Sequence, residues 1–195
     1  MTRILVVFGT TDGHTATVAR RLGESLTGRG VIADVVQARD TGLRPAGYDG
    51  VIVAASVHGG VYQPEVRQWV RRHAAVLDDM PTAFVSVSLA ILQPEPDVQL
   101  AATDTVEQFL DETGWRPTLT RSVAGALLYT KYGWLKRRLM RRIAARAGGP
   151  TDTTRDYVYT DWTEIDRLAD SFAEEVERRV AGEHPATYAP AYAHA

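Results

Sequence analysis

Thr10-Thr11-Asp12-Gly13-His14-Thr15 stands between a short apolar run and a helical pattern. Three hydroxyls and a glycine at the mouth of a helix suit a phosphate monoester. The helix N-terminus offers unpaired N–H groups and a partial positive charge. Thr10, Thr11 and Thr15 add donors without charge, and Gly13 permits close backbone approach or a positive φ. The spacing Thr-x-x-Gly-x-Thr favours this over a simpler role, in which Thr and Asp cap the helix and Gly makes the turn. There is no Walker lysine and no Gly-x-Gly-x-x-Gly, which argues against a nucleoside triphosphate or a dinucleotide.

Two more loops carry residues suited to a ligand. In Ser56-Val57-His58-Gly59-Gly60-Val61-Tyr62, two glycines let the backbone approach a flat molecule on which Tyr62 can stack. Alternatively this is a tight turn before a Pro-started helix, with Tyr62 as its packing cap. Ser88-Leu89-Ala90-Ile91-Leu92-Gln93 offers backbone groups and apolar side chains that exclude water, or else ordinary strand-end packing. His14 and His58 suit proton transfer, although a lone loop histidine is more often solvated or capping. His73 follows Arg71-Arg72 and is expected on an exposed face. No residue is singled out as an acid or base, and no metal site is expected. The chain has no cysteine, which excludes disulfides, thiolate zinc sites, iron–sulfur clusters and thiol nucleophiles.

Charge is segregated. From Thr113 to Thr151 there is no Asp or Glu, yet the formal net charge of the 195 residues is −2. Such a segment usually contacts an anionic partner. Within it, Tyr129, Tyr132 and Trp134 precede a helical stretch bearing Lys136, Arg137, Arg138, Arg141 and Arg142. At 100° per residue, Tyr132, Leu135, Leu139, Met140, Ile143 and Ala147 share one half of the helix and the four arginines the other. The stretch suits an anionic membrane surface, a lid that binds an anionic substrate, or a solvated helix packed by its apolar face. Nucleic acid is disfavoured, because no recognition module accompanies the charge.

The elements that must position these residues follow from the apolar pattern. Strands are predicted at Arg3 to Phe8, Val31 to Gln37, Gly50 to Ser56, Pro81 to Leu89 and Ser122 to Leu128. Helices are predicted at Thr15 to Arg29, Pro64 to Leu77, Ala101 to Thr113 and Asp161 to Arg179. Buried strands alternating with helices predict an α/β fold, a doubly wound five-stranded parallel sheet. Ligands then bind at the carboxyl ends of the strands, beyond strands one, three and four. The predicted domain spans 1–181, with a basic helical insertion over about 129–159 after strand five, and 182–195 as a disordered tail. No signal peptide and no membrane span are expected. A cytoplasmic protein is expected, with the inner face of the cell membrane as a peripheral location.

Several stretches resemble the menaquinone-dependent protoporphyrinogen IX dehydrogenase family, a flavodoxin-like group. They are Thr10 to Thr15; Ala55-Ser56 with Gly60 and Tyr62; Met80 to Phe84 leading to Pro94-Glu95; Trp115-Arg116-Pro117; Ala124 to Leu127; and Thr151-Asp152-Thr153 with Tyr159 to Trp162. The resemblance implies flavin mononucleotide (FMN), with its phosphate on the first loop and its ring between Ser56–Tyr62 and Ser88–Ile91. It implies oxidation of a porphyrinogen to a porphyrin in haem biosynthesis, with electrons leaving to a membrane quinone. The family's insertion, kept here, is linked to substrate and quinone use. The chain departs from the family at Gly9, where serine is usual, at His58 and Gly59, where an arginine and an aromatic are known, and at Leu92 and Gln93, where basic residues are known. The alternatives are a flavodoxin-like electron carrier and a flavin-free interaction domain. A response regulator is disfavoured, because the acidic cluster after strand one and the lysine after strand five are absent.

Overall fold

The computed structural model describes residues 1–40 and 42–182. The predicted disordered tail therefore lies, apart from Gly182, outside the described residues. Five parallel strands form the sheet: β1 (Arg3–Gly9), β2 (Ile32–Gln37), β3 (Gly50–Ser56), β4 (Thr82–Ser88) and β5 (Leu119–Ala124). Their order is β2-β1-β3-β4-β5, the doubly wound order of flavodoxins. Alternation sends successive side chains to opposite faces. Ile4, Val6, Ile52 and Val85 meet one pair of helices, α1 (His14–Gly28) and α5 (Trp162–Val180). Leu5, Val7, Val53 and Phe84 meet the other pair, α2 (Pro64–Asp78) and α3 (Pro96–Thr113).

The helical stripes read from spacing are the buried ones. Val18, Leu22 and Leu26 of α1, Val66, Val70 and Leu77 of α2, and Ile165, Leu168, Phe172 and Val176 of α5 are all in the core. Asp161 caps α5, accepting from the N–H groups of Thr163 and Glu164. The third helix begins five residues before the predicted Ala101, with Pro96 in its first turn. Its first half is mostly exposed, so no apolar stripe announces it.

The fifth strand is corrected. It runs over Leu119–Ala124 rather than Ser122 to Leu128. As an edge strand it pairs only with β4, so Arg121 and Ser122 stay exposed and polar. The apolar residues after Gly125 serve another purpose. β6 (Ala126–Leu127) pairs antiparallel with β7 (Tyr157–Val158) and closes the base of the insertion. Between them lie a 3-10 turn at Tyr129–Lys131 and helix α4 (Trp134–Arg146). Leu127, Leu128, Tyr129, Tyr132 and Ala144 give this segment a small core of its own.

Gly9 ends β1 where α2 comes closest. A Cβ there would lie 2.3 Å from Val66 Cγ2 and 3.0 Å from Gln63 Oε1. The serine usual at this position in the resembled family has no room here. Gly9→Ser is expected to cost about 1–3 kcal/mol through overpacking. Adding Val66→Ala opens space beside the new side chain. Urea unfolding should show the double variant less destabilised than the sum of the two single changes.

Candidate functional site

The loops that follow β1, β3, β4 and β5 meet at one end of the sheet and surround a cavity of about 280 Å³. One wall is polar. Thr10, Asp12, His14 and Thr15 line it from the first loop. Gly13 is left-handed (φ 94°) and its N–H donates to Thr10 Oγ1 at 2.9 Å. This turn presents the start of α1 with no side-chain cap and no acid in its first turn. Thr15 lines the cavity, and its hydroxyl forms no hydrogen bond among the described residues. An uncapped, acid-free helix start is a natural seat for an anion.

Asp12 carries the wrong charge for such a seat, and the insertion corrects it. Lys136 Nζ bonds both carboxylate oxygens of Asp12, at 2.5 and 2.8 Å. The same ammonium lies 4.6 Å from the centre of the Tyr132 ring. His58 Nε2 is 3.7 Å from Asp12 Oδ2. Burial holds the His58 pKa below its ordinary value, Lys136 adds to that lowering, and Asp12 opposes it.

His14 is fixed from the other side. Its Nε2 lies 2.6 Å from Thr160 Oγ1, which itself donates to the Ala124 carbonyl at 2.6 Å. The threonine proton is thus committed, so the ring nitrogen donates and Nδ1 is the acceptor of the neutral ring. Burial, with Lys131 second, lowers the His14 pKa.

The opposite wall is mostly apolar. Ser56, Val57, His58 and Gly59 form one side of it, and Val87, Ser88, Leu89 and Ala90 another. Gly59 and Gly60 both have positive φ, 59° and 80°, between the paired backbones of His58 and Val61. This is the type I′ turn, which glycine accommodates without strain. Gly125, Ala126, Met140 and Ile143 also line the cavity and escaped the sequence reading. The signal was present, since a fifth parallel strand must also deliver its carboxyl end there.

Some predicted residues stand elsewhere. Tyr62 is 2% exposed and packs edge-on against Phe84 and Phe109, with its hydroxyl 2.7 Å from Ser86 Oγ. Burial pushes its pKa up to about 12. It is the packing cap of the turn and cannot stack on a ligand. Thr11, Gly13, Gly60 and Ile91 are outside the cavity lining. Thr11 is instead held by Gln63, whose Nε2 donates to Thr11 Oγ1 at 3.2 Å and to Ser56 Oγ at 2.8 Å. Gln63 is buried and ties the first loop to the end of β3 from below, and the sequence reading passed it over.

The insertion also departs from expectation. Tyr129 is fully buried, donating to the Pro150 carbonyl at 2.9 Å, and so offers no outward contact. Tyr132 is buried but lines the cavity. Arg137 donates to the Tyr129 and Tyr132 carbonyls. The inward stripe of α4 is Lys136, Met140 and Ala144, while Leu135 and Leu139 line neither cavity. Trp134 (78%), Leu135 (66%), Leu139 (56%) and Ile143 (48%) are exposed. An open cleft of about 570 Å³ beside them is lined by Trp134, Arg137, Arg138, Arg141, Arg142 and Thr153.

Comparison with known proteins identifies the family and the fold. The flavodoxin domain family matches residues 5–154. A protein of Escherichia coli (strain K12) named protoporphyrinogen IX dehydrogenase (quinone) is 35% identical over 172 residues, covering 88% of this chain and 94% of its own. A protein of that name from Leishmania major is 34% identical over 175 residues, covering 88% of this chain and 74% of its own. Among solved structures, an archaeal flavodoxin superposes with a TM-score of 0.51 at 15% identity over 90% of this chain and 99% of its own. Oxidised flavodoxin 1 of Bacillus cereus gives 0.53 at 15% identity over 89% and 98%. The structural likeness speaks for the fold, and the sequence likeness spans sheet and insertion alike: the chain belongs to the flavodoxin-domain family and, within it, to the group of the protoporphyrinogen IX dehydrogenases (quinone).

Proposed function

We propose that this chain is an FMN-dependent oxidoreductase that oxidises a porphyrinogen and passes the electrons to a quinone. The observation that carries the reading is the two-sided cavity: an uncapped helix start and free hydroxyl at one wall, apolar strand ends at the other. FMN has the same division, a phosphate at one end and a flat ring at the other. Bound there, it supplies the two-electron redox chemistry.

The protein's own groups then have definable tasks. Thr10, Thr15 and the first N–H groups of α1 hold the phosphate, while Lys136 cancels the charge of Asp12. Gln63 keeps the Ser56 and Thr11 hydroxyls in place. Val57, Val87, Leu89 and Ala90 exclude water from the ring. His58, half-buried at the cavity and biased toward its neutral form, is placed to take up a proton.

A peripheral membrane location belongs to the same proposal. No helix among the described residues is long and apolar enough to cross a membrane. Helix α4 nevertheless shows water an apolar line, Leu135, Leu139 and Ile143, beside a face of Trp134 and arginines. Anionic headgroups complement the arginines, and the apolar line enters the interface.

The purified protein is expected to be yellow and to release FMN on heating; a colourless protein that takes up no FMN overturns the proposal. In an anaerobic assay, porphyrin fluorescence should appear from protoporphyrinogen only when a menaquinone analogue is added. A simple electron carrier gives no such turnover. Gln63→Ala is expected to raise the FMN Kd about 5–30-fold, as the loss of one or two hydrogen bonds does. Titration of the flavin fluorescence measures it. Vesicles containing anionic lipid should float the protein at low salt, whereas Leu139→Glu with Arg138→Glu should leave it in the pellet fraction.

A further inference from the structure

A second cavity of about 760 Å³ opens between α4 and the 3-10 turn at Ala90–Leu92. It adjoins the first, and Leu89, Ala90, Met140 and Ile143 line both. Its wall is largely apolar and carries one cation, Arg146, and one carboxylate, Glu95. The charges cancel. A tetrapyrrole with two propionates would bring two negative charges to a wall with no surplus positive charge, and burying unpaired charge is costly. A neutral molecule avoids that cost. The cavity also meets the exposed apolar side of α4 at Ile143.

Two polar groups in the wall lack partners. Tyr159 and Gln93 line the cavity, and the Tyr159 hydroxyl and the Gln93 side-chain amide form no hydrogen bond among the described residues. Burial raises the Tyr159 pKa, so its hydroxyl stays a donor. An apolar pocket with one or two donors suits a flat, neutral acceptor of hydrogen bonds.

We infer that this second cavity is the quinone site, taking the ring of a prenylated quinone with a carbonyl on Tyr159 or Gln93 and the tail along the apolar side of α4. The inference rests on the proposed function above. The quinone takes up two electrons and two protons and leaves as the quinol, while the two-electron-reduced flavin returns to its oxidised form. The protons come from the reduced flavin and, where that is anionic, one from solvent.

The test uses FMN-loaded protein reduced photochemically without porphyrinogen, then mixed with menadione or a short-prenyl menaquinone. Leu92→Asp places a carboxylate at the rim, Ala147→Trp fills the cavity, and Tyr159→Phe removes one donor. None of the three residues lines the first cavity. Flavin reoxidation at low quinone should slow about tenfold or more in the first two variants and about fivefold in the third, the last being one hydrogen bond's worth. Equilibrium dialysis of the prenylated quinone against oxidised holoprotein should show the same rise in Kd. FMN affinity and reoxidation by ferricyanide should not change. If the wild type is reoxidised by quinone and all three variants match it, the site assignment is wrong while the functional reading stands. If the variants instead weaken protoporphyrin binding and spare the quinone, the cavity belongs to the tetrapyrrole and the assignment falls. If no quinone reoxidises the wild type, both fall.

Discussion

A parallel sheet gathers at one end all the loops that follow its strands, and here the order β2-β1-β3-β4-β5 opens that end between β1 and β3. Helix α1 leaves toward one face and α2 toward the other, so their first turns diverge around a crevice. What keeps the crevice tight is the missing side chain at Gly9. It lets the first turn of α2 press against the end of β1, with Val66 in the space a Cβ would take. Gln63 is thereby brought within reach of both Thr11 and Ser56. One contact between glycine and valine therefore sets the distance between the two loops that form the polar end of the site.

The insertion is built so that it does not disturb this frame. It leaves from β6 and returns through β7, and the Tyr159 N–H bonds the Gly125 carbonyl at 3.1 Å. Entry and exit are thus side by side, and α5 can pack on α1 as it would after a short loop. The segment carries its own small core and leans on the site through Lys136 and Asp12. That ion pair is only partly exposed, which spares it some of the solvent screening that weakens surface pairs. It joins the polar end of the cavity to the helix that lies over it. The carboxylate of the first loop is therefore paired with a cation more than a hundred positions away.

The sheet and its long helices were legible because their apolar periods are strong and uninterrupted. Gly50 to Ser56 was read with its observed bounds, and the stripes of α1, α2 and α5 are the buried ones. The first loop was legible as well, since Thr10, Asp12, His14 and Thr15 do line the cavity. The misreadings share a physical origin. Apolar character carries the predicted fifth strand on through Ala126-Leu127, which instead form the separate strand β6, and polar character hides the start of the edge strand at Thr120 and Arg121. Tyr62 has the chemistry to stack on a ligand, but its backbone position turns it into the core. Gln63 carries no motif, and its importance comes from the close approach that Gly9 allows. Such pairings arise from tertiary contact and leave no local signal.

Helix α4 shows why amphipathicity alone does not tell which side faces inward. A wheel divides it into an arginine half and a leucine half, and burial of the leucines would be the usual outcome. The helix instead lies with Lys136, Met140 and Ala144 toward the domain. In this orientation Lys136 bonds Asp12 on the first loop while Met140 and Ala144 line the cavities below. Leu135 and Leu139 are left in water beside Arg138, Arg141 and Arg142. The two sides of the insertion then differ in kind. The outer side concentrates positive charge and apolar surface, and the inner side encloses a space whose two charges cancel. The outer and inner sides of the insertion therefore suit ligands of different charge, and only the thickness of a single helix separates them.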